Sequence, residues 1–409
     1  MAYKSLKKLF YMDSSRDRFA NNRRLAAERL NAESTFRTGM MTKEGELFLA
    51  VPHELSVLSE QTLRKERVLQ GLQVSIPRIA RGALVRSLVV DEVVCTNSLE
   101  GIHSTRRQIS ELLESAPSTN SESDKRFREL ATLYLGLSRG QADCPKSLQD
   151  IRVIYDQVMA GEDLGQNAPD GKLFRRHAVE VIGEGGKTLH EGAQTEGEIN
   201  GELGSMLALV SSPNVPELYS ALMSHYIFEY THPFYDGNGR TGRYLLALYL
   251  SRPLSTITAL SLSREIAENR APYYKAFQEA EHPMNHGELT PFVLQMLQYV
   301  SAAQDRVIDN LVDKSLLLEK SETALAAAEK TLGLSKGEHN LLYLLVQHDL
   351  FAAFPDVRLD DAEGFMGMGR QSVRKYLGLL VERGLASQVG GRPLRFELSA
   401  AGRDLLEGE

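Results

Sequence analysis

The run His232-Pro233-Phe234-Tyr235-Asp236-Gly237-Asn238-Gly239-Arg240-Thr241-Gly242-Arg243 constrains this chain more than any other stretch, because it lies between two helical patterns and most of its positions carry chemistry. Upstream, Pro216 sits where a first helical turn tolerates proline, and Leu218, Leu222 and Tyr226 recur at spacing four. Downstream, Tyr244 to Leu250 is apolar all round, which predicts a helix buried in a bundle. Gly237 and Gly239 permit positive φ and present no side chain, so several N–H groups can converge on an anion at the start of the second helix. Arg240 and Arg243 are three apart, share a helical face and can reach successive phosphates. Asp236 offers a hard oxygen ligand suited to Mg²⁺ bridging those phosphates, and His232 a neutral imidazole able to take a proton from an attacking hydroxyl.

Other anion-binding readings of the run do not fit. Gly237-Asn238-Gly239-Arg240-Thr241-Gly242 matches the dinucleotide fingerprint, but that fingerprint follows a strand and here a helix precedes it. A Walker loop needs Gly-Lys-Ser/Thr and a cysteine phosphatase needs a thiolate, and the run has neither. A plain glycine-rich helix–helix turn, with surface arginines and a core histidine, would not require so many specified positions together.

The remaining chain bounds the architecture. Its 409 residues suggest about two to three domains at roughly 150 residues each. Hydrophobic residues at 42% and charged residues at 25% exclude a largely disordered chain. The two cysteines, Cys95 and Cys144, exclude a disulfide framework or thiolate zinc site and suit a reducing cytoplasm. The net charge of −7 argues against a chain-wide nucleic-acid or anionic-membrane surface, while leaving room for a local basic patch. Met1 to Arg18 lacks the apolar core of a signal peptide, and no apolar stretch reaches the ~20 residues of a membrane span.

Periodicity predicts helix over Pro52 to Ser75, Ile79 to Val94 and Thr105 to Glu114, and two helices within 127–160 around a turn containing Cys144 and Pro145. Ser263 to Ala280 reads as one helix, Thr290 to Val300 as another, and Ala302 to Leu332 as a helical connector. No element is read in the glycine-spotted Ser34 to Val51, and Ser115 to Asp124 reads as a surface loop. Leu173 to Ile182 and Lys187 to His190 flank Gly183 to Gly186 as a small hairpin.

The string His-Pro-Phe-x-Asp-Gly-Asn-Gly-Arg-x-x-Arg resembles the signature of the Fic (filamentation induced by cAMP) family, and here it is complete. The resemblance extends over about 79–300. It implies a mainly α, Fic-type helical bundle in which the hairpin is similar to the family's target-docking flap, although Lys187 to Glu196 lacks the proline run often found there. It further implies transfer of AMP from ATP, with Mg²⁺, to a hydroxyl of a protein, this one or another. His232 would be the base and Asp236 the metal ligand. Gly237, Asn238 and Gly239 would hold the α and β phosphates, with Arg240 and Arg243 on the outer phosphates. The resemblance leaves open which of Tyr273 and Tyr274 lines the adenosine pocket, which protein is the target, and whether monomers pair.

Thr96-Asn97-Ser98-Leu99-Glu100-Gly101 resembles the family's inhibitory motif, in which the glutamate pairs with the second arginine of the signature, here Arg243, and blocks the γ-phosphate position. A carboxylate and a phosphate compete for the same guanidinium fork, so the idea is physically sound. The competing reading is a helix end capped by Gly101. In some relatives the same glutamate positions water for removal of AMP.

Beyond the connector 301–334, the region 335–409 follows a different order of helix, helix, helix and hairpin, which is that of a winged helix. Arg370, Gln371, Arg374 and Lys375 would open its recognition helix and Arg392 would lie on the wing, within reach of DNA; Asp349, Asp360, Asp361 and Glu363 offset that charge and favour protein contact equally. The organisation expected is therefore an N-terminal helical region 1–78, a catalytic domain 79–300, the connector and the winged helix. From a different functional class, the alternative is a transcriptional regulator whose core senses nucleotide. His282 and His286 read as loop residues, since Pro283 lies between them and no third metal ligand is evident, and His225 as a histidine on a helical face.

Overall fold

A computed structural model of the chain describes residues 3–114, 122–182 and 188–407. The expected turn Gly183 to Gly186 and the Ser115 to Ser121 part of the serine-rich stretch lie outside these residues. Among the described residues the fold is mainly helical, with three small antiparallel sheets, and the chain forms two compact units: Met1–Arg67 with Asp91–Asp305, and Val68–Val90 with Arg306–Glu409.

The first unit is organised around the helices Glu196–Ser211, Glu217–Thr231 and Asn238–Leu250. The run Tyr244 to Leu250 is at most 3% exposed, as its all-round apolarity requires, and each of its leucines contributes about 1.5–3 kcal/mol of burial free energy. A shorter helix, Leu148–Val158, opens with a capping box in which Ser147 and Asp150 satisfy each other's backbone donors. The short hairpin pairs Glu180–Ile182 with Thr188–Glu191, so the strand expected from Leu173 begins only at Glu180.

Three differences from the sequence expectations have physical causes. Thr35–Thr42 and Gly45–Ala50 form an antiparallel hairpin in the stretch where no element was read. Its apolar alternation is masked in the sequence because the buried positions of the first strand include the polar Thr38 while Met41 is exposed, and because Leu47 to Ala50 are all buried. The helix expected over Ser263 to Ala280 is broken into Leu262–Glu268 and Arg270–Ala280 at Asn269, because Pro272 cannot supply the backbone donor of a continuous helix. Conversely, Thr290–Leu332 is one helix of 43 residues, since nothing at Ser301 interrupts the buried series Val300, Ala303, Val307 and Leu311.

In the second unit, helices Lys336–Phe351, Leu359–Met366 and Arg370–Glu382 lead into strands Ala386–Gly391 and Leu394–Leu398. Strand Val357–Arg358 extends this sheet beside Leu394–Leu398, and a further helix, Ala400–Glu407, follows; neither was anticipated. Ser335 and Glu338 cap the first helix reciprocally, and Arg383 closes on Glu338 at 2.8 Å.

Candidate functional site

The histidine comes first because the chain must turn sharply there. Helix Glu217–Thr231 ends at His232, whose φ of 49° and ψ of 62° are left-handed, with its N–H donating to Phe228 O at 3.0 Å. Pro233 excludes a right-handed continuation by crowding the residue before it. Phe234, fully buried, stacks on Tyr155 with ring centroids 3.5 Å apart. Asn238 then closes the loop: its Oδ1 accepts from Phe234 N at 2.9 Å and its Nδ2 donates to Phe234 O at 2.8 Å. The side chain of Asn238 is thus a clasp, and its backbone N–H faces the helix opening. Replacing Asn238 with Ala leaves both polar groups of Phe234 buried without partners and is expected to lower the unfolding free energy by about 1–3 kcal/mol, read from urea midpoints.

Gly237 adopts φ 78° at the N-cap of helix Asn238–Leu250, and a Cβ there would come within 2.3 Å of Met159 Sδ. Gly239 is helical, so its requirement is space: a Cβ would stand 2.2 Å from Glu100 Oε1. Asp236 is exposed, with Oδ1 accepting from Gly237 N at 2.6 Å. Among the described residues no group of three or more His, Cys, Asp or Glu converges in a manner able to hold a metal.

Both arginines of the run are buried and each meets a carboxylate. Arg243 donates from Nε to Thr96 Oγ1 at 2.8 Å, and from Nη2 to Thr96 O at 3.1 Å and Glu100 Oε1 at 2.7 Å. Arg240 pairs through Nη1 with Glu162 Oε1 at 2.5 Å; Glu162 is also held by Arg126 at 3.0 Å, while Arg240 Nε is buried without a partner. Burial works against ionising Glu100, but Arg243, Arg240 and His232 together outweigh it and hold the carboxyl below its ordinary range. Glu100 therefore sits, charged, at a helix N-terminus where an anion is favoured.

The helix carrying this glutamate, Arg78–Leu99, ends in a Schellman motif: Ile102 N donates to Asn97 O at 2.9 Å and Gly101 N to Ser98 O at 3.2 Å, with Gly101 at φ 72°. The capped helix end and the Glu100–Arg243 pair are one structure, since the cap aims the glutamate.

Burial pulls the His232 imidazole down to about 4, with the charges of His190 and Arg175 acting the same way. Its Nδ1 lies 3.4 Å from Glu229 O, the arrangement of a donor, which leaves Nε2 as the acceptor. Tyr273 is buried, its hydroxyl joined to His225 Nε2 at 2.8 Å, whereas Tyr274 is 44% exposed and reaches Leu99 O at 3.4 Å. His225 is therefore a buried partner of Tyr273, and His286 bonds Asn22 at 2.7 Å.

Residues 145–250 match the family described as Fic/DOC. This chain carries a Fic domain. Among similar curated proteins, the protein adenylyltransferase fic-1 of Caenorhabditis elegans is 33% identical over 124 residues, covering 28% of this chain and 23% of that protein. The protein adenylyltransferase Fic of Nematostella vectensis is 35% identical over 89 residues, covering 22% and 18%. The chain thus spans about a fifth of the length of these relatives. Of solved structures, a Fic family protein from Desulfovibrio desulfuricans G20 shares the fold with a TM-score of 0.53 at 17% identity, covering 86% of this chain and 97% of that one.

Sequence reasoning missed three side chains around the Fic run. Glu162 follows a turn glycine and carries no motif. Arg175, fully buried, lies on the carbonyls of His232 and Thr231. Glu229, beside Gly242 and Arg243, has a buried Oε1 without a partner, and burial raises its carboxyl to about 7. Their only sequence signal is proximity to the run for Glu229; the others are brought in by the fold.

In the second unit, Gln371, Arg374, Lys375 and Arg392 are exposed, whereas Arg370 is engaged by Asp360 at 2.7 Å and Glu363 at 3.5 Å. Among the described residues no helix is long and apolar enough to cross a membrane.

Proposed function

We propose that the Fic domain is a protein adenylyltransferase restrained by its own Glu100. The observation that carries this reading is the Glu100 carboxylate lying against Gly239 and paired with Arg243 at 2.7 Å, where the opening of helix Asn238–Leu250 offers unbonded N–H groups to an anion. With Glu100 displaced, the N–H groups of Asn238, Gly239 and Arg240 would cradle the phosphates of ATP. Arg243, still oriented by Thr96, and Arg240, with its unpartnered Nε, would bind the outer ones.

A hydroxyl of a Ser, Thr or Tyr side chain, on a partner protein or on this chain, attacks the α-phosphorus while its proton passes to Nε2 of His232. The new bond forms from the hydroxyl oxygen, the bond to the β-phosphate oxygen breaks, and pyrophosphate leaves with that electron pair. The free Oδ2 of Asp236, a single carboxylate oxygen open to solvent, fits a Mg²⁺ whose other ligands are phosphates and water rather than an all-protein site. The ion would supply charge neutralisation at those phosphates. The aromatic neighbour of the inhibitory helix end, Tyr274, is the better placed of the tyrosine pair to meet the adenosine, because Tyr273 is enclosed.

Incubation of Glu100→Gly with ATP and Mg²⁺ followed by mass spectrometry tests the reading. The expected result is the mass of one AMP moiety on a hydroxyl residue of the chain or of an added partner. ATP bound without any adduct would favour the alternative, a nucleotide-sensing regulator. That second reading draws on the exposed Gln371, Arg374, Lys375 and Arg392, and salt-dependent binding of duplex DNA by the full chain would support it.

The pH dependence follows from the sign of the His232 shift. A base must be unprotonated, and this imidazole is held at about 4 against an ordinary 6.5, so activity is lost only as pH falls through that lower value. Initial rates of Glu100→Gly are expected to stay level from about pH 7.5 down to about 5.5. A rate that halves near the ordinary histidine value would show that burial does not hold the imidazole low in the working enzyme.

A further inference from the structure

Resting on the adenylyltransferase reading, we propose that Arg175 is the positioning residue that fixes the left-handed turn at His232 and so aims its imidazole. Arg175 is fully buried, and none of its hydrogen bonds goes to a carboxylate. Its guanidinium instead donates to three backbone carbonyls: from Nε to His232 O at 2.8 Å, from Nη2 to Thr231 O at 3.3 Å and from Nη1 to His177 O at 2.5 Å. Its own N–H donates to Pro233 O at 3.2 Å. The carbonyls of residues 231, 232 and 233 thus all accept from one residue, while Ala193 N adds a second donor to Thr231 O at 3.1 Å.

A buried guanidinium that hydrogen-bonds no carboxylate, with Glu202 and Glu198 acting on it only through their charge, is an expensive way to fill space, since an apolar side chain of that volume would cost no desolvation. Its planar, forked donors are suited to a task that an apolar residue cannot perform, holding several carbonyls at fixed angles. The carbonyls of residues 231 to 233 flank His232, which is left-handed without being a glycine, and such a conformation persists only where its surroundings over-determine it. Gly192 completes the clamp. A Cβ there would fall 2.7 Å from Arg175 Nη2, 2.9 Å from His232 Cβ and 3.1 Å from Thr231 O, so only glycine lets the guanidinium and the turn meet. Arg175 and Gly192 stand on either side of the short hairpin, which ties the base of that hairpin to the histidine.

The test uses the full chain with Glu100→Gly as background and adds Arg175→Met, Arg175→Lys or Gly192→Ala. Arg175→Met is expected to lower kcat by about a hundredfold, the cost of misplacing a reacting group by about 1 Å, with KM for ATP and the equilibrium dissociation constant of ATP within about threefold. Arg175→Lys, which keeps the charge and some donors, recovers part of kcat. Gly192→Ala lowers kcat with the arginine still present. A proton titration of the His232 imidazole by NMR reads the same turn without activity: in Gly192→Ala, where the Arg175 charge remains, it should move up from about 4 toward the ordinary value. Unchanged kcat in folded Arg175→Lys and Gly192→Ala, or an unchanged imidazole titration in Gly192→Ala, overturns the positioning role. Absence of transfer in the Glu100→Gly background alone overturns the adenylyltransferase reading, and the imidazole titration then still decides the role of Arg175.

Discussion

Glu100→Gly is expected to incorporate AMP from α-labelled ATP about 10- to 150-fold faster than the unaltered chain. The figure comes from the interaction removed: a charge-assisted hydrogen bond to a buried guanidinium contributes roughly 1.5–3 kcal/mol, and each 1.4 kcal/mol is tenfold. On the proposed reading ATP must overcome that pairing before Arg243 can meet a phosphate, so its loss appears in kcat/KM. Two features make the variant a clean one. The helix end that carries Glu100 is capped through backbone groups, Gly101 N on Ser98 O and Ile102 N on Asn97 O, which the substitution leaves in place. Arg243 also keeps its bonds to Thr96 Oγ1 and O, so the guanidinium stays aimed once the carboxylate is gone. Equal labelling of the two proteins, with circular dichroism showing the same fold, would remove Glu100 from the role of brake.

The helix–turn–helix frame of the site was legible because each of its constraints is local. Glycine in the turn, proline after the histidine, two arginines at helical spacing and an apolar helix beyond them each follow from neighbours in the chain. The Glu100–Arg243 pair, separated by 143 residues, was reachable only through a resemblance. Arg175 and Glu162 were out of reach altogether, because their significance comes from being buried beside the run, 57 residues from His232 and 78 from Arg240. Asn238 shows the converse limit. The motif sets it among the phosphates, yet both polar atoms of its side chain are bonded to Phe234, so the residue type is required by the loop itself. The N-terminal hairpin escaped notice for a different reason, since the buried positions of its first strand include the polar Thr38 while Met41 is exposed, so the apolar alternation by which a strand is recognised is missing from the sequence.

Replacing His232 with Ala in the Glu100→Gly background is expected to lower transfer by about 10² to 10⁴-fold while leaving ATP affinity within about threefold. Two observations separate these effects. The groups proposed to face the phosphates belong to the next helix, whose opening N–H groups and arginines the substitution does not touch. The imidazole, by contrast, is neutral through burial and presents Nε2 as an acceptor, so what it offers the reaction is a place for the hydroxyl proton. Alanine removes that acceptor but must still occupy the left-handed turn at φ 49°, and the strain that follows could be mistaken for a catalytic loss. His232→Asn answers this, because asparagine tolerates the left-handed region and supplies no base of useful strength. If both variants lose transfer and bind ATP as before in a calorimetric titration, the loss belongs to proton removal. If the asparagine variant alone keeps transfer, the turn rather than the imidazole was what the reaction needed, since the clamp formed by Arg175 and Gly192 would then serve only to shape the cradle.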